Sequence, residues 1–443
     1  MTLDRRQFLQ TAAVAAAAAI SPAAAGPAKG QGQGQGQASG RMPAGEDWDA
    51  VRREFTLEPG LIHMSAMLLA SHPRPVREAI EAHRRGLDLN PVTYIEDHDG
   101  PLTRAAREAA GAHLGIDPRA VALTGSTTES VGLVYNGLML KPGQEILTTG
   151  QDYFVTYEST RLAAERTGAT VRRIELYEDI SKISPTMLAD RVASAVGPTT
   201  RVVALTWVHS STGLKLPVAM IAERLAAINE GRDEGDEVLL AIDGVHGFGI
   251  ENVSLAELGC DFLMAGCHKW LFGPRGTGIV AASPRGWSAS RATIPSFDDG
   301  DVFSAWLRGD EPDGTYDGLT MSPGGFKAFE HRWALTEAFS FHDRIGKGRI
   351  EARVRSLAGL TKSGLRQMKH VIVATPQSPD LSAGIVSFNV AGYSAVQAVK
   401  ALREKGVIAS AAPYATRYVR LTPSILNTPE EVHAALAAVR ELA

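Results

Sequence analysis

Residues 260–278 read CDFLMAGCHKWLFGPRGTG, and this stretch decides the fold. It opens with a short apolar run typical of a buried strand and closes with a loop rich in glycine and proline. His268 and Lys269 stand between the two, just past the predicted end of the strand. Because glycine has no side chain, backbone in such a loop can approach a ligand closely. The stretch therefore predicts a lysine beside a ligand site at a strand end.

Six further apolar runs between residues 120 and 283 predict strands buried on both faces, and helical patterns separate several of them. They are AVALTG, QEILTTG, ATVRRIEL, TRVVALTWV, EVLLAID and GIVAAS. Such alternation indicates an α/β fold in which helices cover a mostly parallel sheet. Ligands of these sheets bind at the carboxyl ends of the strands.

At 443 residues the chain exceeds the usual size of one domain. The pattern changes near residue 311, where strand and helix signals indicate a smaller α+β unit joined through the helical pattern at 326–345. We predict five segments. They are a signal peptide (1–25), a linker (26–45), an N-terminal arm (46–72), a large domain (73–310) and a small C-terminal domain (311–443).

The N-terminus resembles a twin-arginine signal, the export route for folded proteins. Arg5 and Arg6 precede Phe8, Leu9 and the apolar run TAAVAAAAAI. A run of about ten residues is too short to span a bilayer, so no stable membrane anchor is expected. The Gly/Gln-rich tract that follows is typical of a flexible linker. We expect export to the periplasm or the cell exterior, with the twin-arginine machinery as a partner.

Composition narrows the possible functions. The net charge is −4, from 45 basic and 49 acidic residues spread along the chain, which provides no electrostatic footprint for nucleic acid. The two cysteines, Cys260 and Cys267, are too few for a disulfide framework or a common zinc site. We therefore expect neither nucleic acid nor a metal.

Three polar elements are predicted at strand ends. EVLLAID ends at Asp243, and a carboxylate beside Lys269 is by itself explained by a partly buried salt bridge. VALTGSTTES is a strand, a polar turn and a helix start, where Ser126, Thr127 and Thr128 suit either a helix cap or an anion site. Taken together, the lysine, the aspartate and the anion site match what pyridoxal 5'-phosphate requires.

Six motifs in this order resemble the class V aminotransferase family of fold-type I pyridoxal-phosphate enzymes, which includes cysteine desulfurases and isopenicillin N epimerase. They are SAMLLASHP, TGSTTES, WVHSSTGLKLP, AIDGVHGFG, CHKWLFGPRGTG and VRLTPSILNTPEE. The resemblance covers about residues 55–443, and the stretch around Lys269 is its most specific part.

The resemblance implies a role for each motif residue. Lys269 is the Schiff-base lysine and Asp243 the partner of the pyridine nitrogen. The other expected cofactor contacts are Thr127, Thr128 and His268 at the phosphate, His246 at the ring hydroxyl, and Ser210 nearby. Arg420 is expected to bind the substrate carboxylate, with His209 on the same wall.

The chain departs from the family pattern at three places. Gly266 replaces a serine that contributes a phosphate hydroxyl in many members. Gln151 stands where a histidine often stacks on the cofactor ring, so Tyr153 is predicted to supply the aromatic face, with Phe154 as the alternative. The segment VIASAAPYATRYVR lacks the nucleophilic cysteine of cysteine desulfurases, which disfavours persulfide chemistry.

The expected function is that of a pyridoxal-phosphate enzyme acting at Cα of an amino acid or derivative, of epimerase or aminotransferase type. A β-elimination (C–S) lyase and a non-catalytic binding protein stay open as alternatives. The resemblance also implies a homodimer in which a partner loop, here TMSPGG at 320–325, completes the phosphate site.

Overall fold

The computed structural model describes residues 47–443 except 234, 313 and 315. The predicted signal peptide and linker lie outside these residues, so export by the twin-arginine route stays a prediction. The boundary between the large and the small domain likewise stays a prediction.

The described residues form thirteen strands in three sheets. The strands are β1 (Ile62–His63), β2 (Val121–Thr124), β3 (Glu145–Thr149), β4 (Thr170–Ile174), β5 (Thr200–Thr206), β6 (Leu239–Asp243), β7 (Phe262–Gly266), β8 (Gly278–Ala282), β9 (Val371–Val373), β10 (Val386–Val390), β11 (Val407–Ile408), β12 (Ser410–Ala411) and β13 (Val419–Leu421).

The seven runs predicted as strands are β2 to β8, and they form one mixed sheet in the order β2-β8-β7-β6-β5-β3-β4. Every pairing is parallel except those of β8, which runs antiparallel to both β2 and β7. The predicted α/β class is confirmed. Burial of β4 on both faces is wrong, because β4 is an edge strand and exposes Thr170, Arg172 and Arg173.

Fifteen helices lie in the described part of the chain. They are α1 (Trp48–Arg53), α2 (Arg74–Leu89), α3 (Pro91–Leu114), α4 (Thr127–Gly137), α5 (Phe154–Thr167), α6 (Pro185–Ala195), α7 (Val218–Asn229), α8 (Leu255–Leu258), α9 (Pro284–Ser288), α10 (Gly300–Arg308), α11 (Phe329–Trp333), α12 (Leu335–Ile345), α13 (Lys347–Arg366), α14 (Ala395–Glu404) and α15 (Pro429–Arg440).

The large sheet is packed on both faces. Along β5 the side chains of Val203 and Leu205 belong to one apolar cluster, whereas those of Val202 and Ala204 belong to another. Successive side chains of a strand point to opposite faces, so a strand between two cores is apolar throughout. This double burial explains the unbroken apolar runs in the sequence.

The register of the sheet brings three strand ends to one edge. Thr124 at the end of β2 pairs with Gly278, and Gly278 also pairs with Gly266 at the end of β7. In the neighbouring strand, Asp243 at the end of β6 pairs with Met264. The start of α4, the Asp243 carboxylate and the segment leading to Lys269 therefore share one edge of the sheet.

The C-terminal region has its own sheet, as predicted for an α+β unit. Strands β12, β13, β10 and β9 form an antiparallel sheet in that order. A separate apolar cluster joins this sheet to α13, α14 and α15, and Met64 of the N-terminal arm belongs to it. The arm also pairs β1 with β11 in parallel. Residues before the large sheet thus pack with residues after it.

Among the helices of residues 47–443 that the structure describes, none is long and apolar enough to cross a bilayer. Cys260 and Cys267 are both buried free thiols.

Candidate active site

A cavity of about 200 Å³ opens at the edge where β2, β6 and β7 end. Eight of the residues predicted for the site line it together. They are Thr127, Thr128, Tyr153, Ser210, Asp243, His246, His268 and Lys269. Arg420, from the C-terminal sheet, lines the same cavity.

Lys269 and Asp243 are the oppositely charged pair of the cavity. Burial lowers the pKa of Lys269 to about 8, although the nearby Asp243 acts to raise it. Burial also raises the pKa of Asp243 to about 6, against a hydrogen bond from the Val245 N–H (3.2 Å) and the charge of Lys269. For both groups, the loss of hydration disfavours the charged form more strongly than the attraction between the two charges favours it. Near pH 7 the amine therefore loses its proton far more readily than an exposed lysine does.

The start of α4 forms one wall. Ser126 is the N-cap and accepts from the Glu129 N–H at 3.1 Å, so the helix-cap reading of the polar turn holds for Ser126. Thr127 is different, because its Oγ1 is buried and has no hydrogen-bond partner in the described protein; the same is true of His268 Nδ1. Two orphaned polar atoms beside a helix N-terminus are suited to an anion.

Gly266 keeps the space between these two atoms open. A Cβ at this position would lie 2.7 Å from Thr127 Oγ1 and 3.1 Å from His268 Nδ1. The space between Thr127 Oγ1 and His268 Nδ1, called the anion cradle below, is therefore too narrow for a side chain at position 266, where the resemblance predicts a serine in many members.

Arg420 is a buried cation without an acidic partner. It lies on β13 with 3% of its surface exposed, and it donates to Ser410 Oγ (3.1 Å), the Ser210 carbonyl (2.8 Å) and the Ala411 carbonyl (3.1 Å). No carboxylate of the described residues forms an ion pair with it. Burial lowers its pKa, opposed by the nearby tyrosine hydroxyls. A buried guanidinium that lacks a counter-ion is prepared to bind a carboxylate.

Tyr153 lines the cavity, whereas Gln151 and Phe154, the alternative to Tyr153, do not. Gln151 hydrogen-bonds Glu175 (2.6 Å) and the Leu176 N–H (3.3 Å). Phe154 is 66% exposed and does not line the cavity. The geometry thus places Tyr153 where an aromatic contact with a cofactor ring is possible.

The structure does not bring His209 to the cavity wall. Its side chain is fully buried, and neither ring nitrogen has a hydrogen-bond partner in the described structure. Its backbone instead closes a turn, since His209 N donates to Leu214 O and His209 O accepts from Gly213 N, each at 2.8 Å. The turn directs the imidazole into the core while Ser210, the next residue, faces the cavity.

Sequence reasoning missed several contributors. Met67, Leu68 and Pro413 line the cavity, and Tyr414 hydrogen-bonds one of the lining residues. The Tyr414 hydroxyl lies 2.7 Å from Ser210 Oγ, and its ring centre lies 6.0 Å from that of Tyr153. The sequence signal for Tyr414 is its place in the loop VIASAAPYATRYVR, six residues before Arg420.

A mostly parallel sheet with a lysine, an aspartate and an anion cradle at one edge defines the class of fold-type I pyridoxal-phosphate enzymes. The chain belongs to one family of that class, because the family described as Aminotransferase class-V matches residues 98–434.

Curated relatives fall into more than one activity. The chain is 27% identical over 400 residues to isopenicillin N epimerase of Streptomyces clavuligerus, covering 87% of this chain and 96% of the relative. It is 25% identical over 383 residues to a cysteine desulfurase of Cronobacter sakazakii, covering 82% and 85%.

A solved structure of C-DES with glycine covalently linked to its PLP cofactor has a TM-score of 0.78 at 22% identity, covering 88% of this chain and 99% of that one. The likeness confirms the fold. The family is pyridoxal-phosphate-dependent, so the predicted cofactor is confirmed, whereas the kind of reaction is not decided.

The residues present fit this cofactor. The buried Asp243 suits a protonated pyridine nitrogen, and the unpartnered Thr127 Oγ1 and His268 Nδ1 suit a phosphate. The amine of Lys269, with its lowered pKa, suits an aldehyde.

Proposed function

We propose that this protein is a pyridoxal-phosphate enzyme that acts at Cα of an amino acid or amino-acid derivative, of epimerase or aminotransferase type. The observation that carries the proposal is the unpaired, buried Arg420 in the same cavity as Lys269 and Asp243. An anion-binding site on the wall of a lysine–aspartate cavity suits a substrate with a carboxylate.

Each side chain has one task in this proposal. Arg420 binds the substrate carboxylate and thereby orients Cα. Lys269 would hold the cofactor at its aldehyde, and its amine would move the proton at Cα, a task suited to its lowered pKa. Asp243 keeps a proton on the pyridine nitrogen. The bound cofactor supplies an electron-withdrawing ring that stabilises negative charge at Cα.

Persulfide chemistry is not part of the proposal. Cys260 and Cys267 are buried, and burial raises the pKa of both, that of Cys267 to about 12. A thiol of that kind is a poor nucleophile near neutral pH. One relative is a cysteine desulfurase, and the structural neighbour C-DES is described as a cystine C–S lyase, which keeps β-elimination open as the second candidate function.

A panel of L- and D-amino acids in D₂O, with and without an added oxo acid as amino acceptor, tests the proposal. Deuterium exchange at Cα, followed by NMR, reports proton transfer. Interconversion of enantiomers then indicates an epimerase, and formation of the matching oxo acid indicates an aminotransferase. Release of ammonia together with an oxo acid that lacks the β-substituent indicates a lyase.

Lys269→Ala should abolish both the exchange and the absorbance of the covalently held cofactor. Lys362→Met is the matched control, because burial also lowers the pKa of Lys362 to about 8, yet its amine donates to Pro376 O, Gln377 O and Ser382 Oγ outside the cavity. Wild-type exchange in Lys269→Ala would overturn the assignment.

A further inference from the structure

Trp270, which directly follows Lys269, holds a histidine of the active site. Its indole Nε1 lies 3.3 Å from Nδ1 of His246, and this hydrogen bond is buried. Trp270 has 1% of its surface exposed, whereas His246 lines the cavity. The contact thus joins the interior behind the lysine to the wall of the site.

The direction of this hydrogen bond determines where the histidine carries its proton. An indole N–H only donates, so Nδ1 of His246 has to accept and bears no hydrogen. Burial and the positive charges of Lys269, Arg420 and His268 all push the pKa of His246 well below its usual value. The imidazole is therefore neutral, and its single proton lies on Nε2.

The indole is held in place by close packing. A Cβ on Gly384 would lie 2.6 Å from Trp270 Cη2 and 2.8 Å from Val354 Cγ1, so the ring fills a slot that exists only because residue 384 is glycine. A side chain packed this closely keeps one rotamer, and its N–H keeps one direction.

We propose that Trp270 is a positioning residue that fixes His246 as the Nε2–H tautomer, so that His246 presents a hydrogen-bond donor to the ring hydroxyl oxygen of the cofactor. The reversed tautomer would point a lone pair at an oxygen that carries negative charge when ionised. The inference depends on pyridoxal phosphate being the cofactor and not on which reaction follows at Cα. It gives the tryptophan beside the lysine a chemical role.

Trp270→Phe tests the proposal, because it removes the donor and keeps an aromatic ring. In holoenzyme labelled with ¹⁵N-histidine, wild-type His246 should show a protonated Nε2 and a bare Nδ1, its signals being assigned by their loss in His246→Ala. In Trp270→Phe the ¹⁵N chemical shifts of Nδ1 and Nε2 should move toward each other, as expected for a mixture of the two tautomers. An unchanged His246 spectrum in a folded Trp270→Phe variant would overturn the proposal.

Trp287→Phe is the matched control. It also removes the N–H of a buried indole. That N–H donates to Ala120 O over a distance of 3.2 Å, and Trp287 does not line the cavity. The dissociation constant of pyridoxal phosphate should rise roughly three- to tenfold in Trp270→Phe, the usual net effect of one lost hydrogen bond, and should not change in Trp287→Phe. Equal effects in both variants would contradict a specific role.

A double-mutant cycle separates positioning from packing. If Trp270 acts through His246, Trp270→Phe should add nothing to the changes in cofactor affinity and absorption maximum already caused by His246→Ala. Additive changes would mean that the tryptophan supports the site by packing alone, and the proposal would fail.

Discussion

At the scale of single residues, burial shapes the chemistry of the site. Burial brings the pKa of Asp243 up to about 6 and that of Lys269 down to about 8, so both are mainly charged only between these values. Above pH 8 the lysine is mainly a neutral amine, the form that attacks an aldehyde.

The rate at which apoenzyme attaches pyridoxal phosphate should therefore rise with pH, with its midpoint near pH 8 rather than near 10.5, the ordinary pKa of lysine. Asp243→Asn should move the midpoint to lower pH, because the Asp243 charge raises the pKa of Lys269. Stopped-flow absorbance measures the rate, with Nα-acetyl-lysine as the reference amine that reports titration of the cofactor itself. A midpoint near that of the reference amine would contradict the effect of burial.

At the scale of elements, the anion cradle is made by the start of α4 and the segment after β7. Neither element suffices alone, because Thr127 lies on the first and His268 on the second. The register that pairs both Thr124 and Gly266 with Gly278 brings them together.

Gly266→Ala should weaken binding of pyridoxal phosphate about tenfold, since overpacking of a tight site typically costs 1–3 kcal/mol. The added Cβ would come within 2.7 Å of Thr127 Oγ1 and push the cradle apart. Gly132→Ala on α4 is the control, because a Cβ there meets nothing within 4 Å. Equilibrium titration followed by absorbance measures both affinities, and equal affinities would show that the cradle yields without cost.

At the scale of the whole molecule, the predicted homodimer depends on the loop at 320–325. The first half of this loop is held by its own chain, as Thr320 Oγ1 donates to Asp299 Oδ2 and Ser322 Oγ to Gly318 O, each at 2.6 Å. At the end of the loop, a Cβ added to Gly325 would meet nothing within 4 Å, and the next residue, Phe326, is 81% exposed. An exposed phenylalanine beside an open glycine is consistent with a contact to a second copy.

Phe326→Asp should shift the protein toward monomer and lower its cofactor affinity, because a buried charge opposes association. Sedimentation velocity gives the oligomeric state. Phe303→Asp on α10 is the control, since Phe303 is also exposed (50%), whereas it is not adjacent in sequence to the loop at 320–325. A wild-type enzyme that is fully active as a monomer would refute the dimer prediction.

Sequence alone determined the seven strands of the large sheet and the polar residues at their ends. Runs buried on both faces are apolar throughout, and functional residues follow them directly, so Asp243 and Lys269 could be found from local pattern. The family resemblance placed Arg420, which lies 151 positions beyond Lys269.

Only the tertiary structure decided the contacts between distant segments. Three features depend on neighbours that are far apart in sequence. Strand β8 runs antiparallel, Gln151 turns toward Glu175 while Tyr153 lines the cavity, and His209 is buried. The same holds for the hydrogen bond from Trp270 to His246, which lie 24 positions apart in the sequence. Local pattern records which residues are buried, whereas side-chain direction depends on packing and hydrogen-bond partners that exist only once the chain has folded.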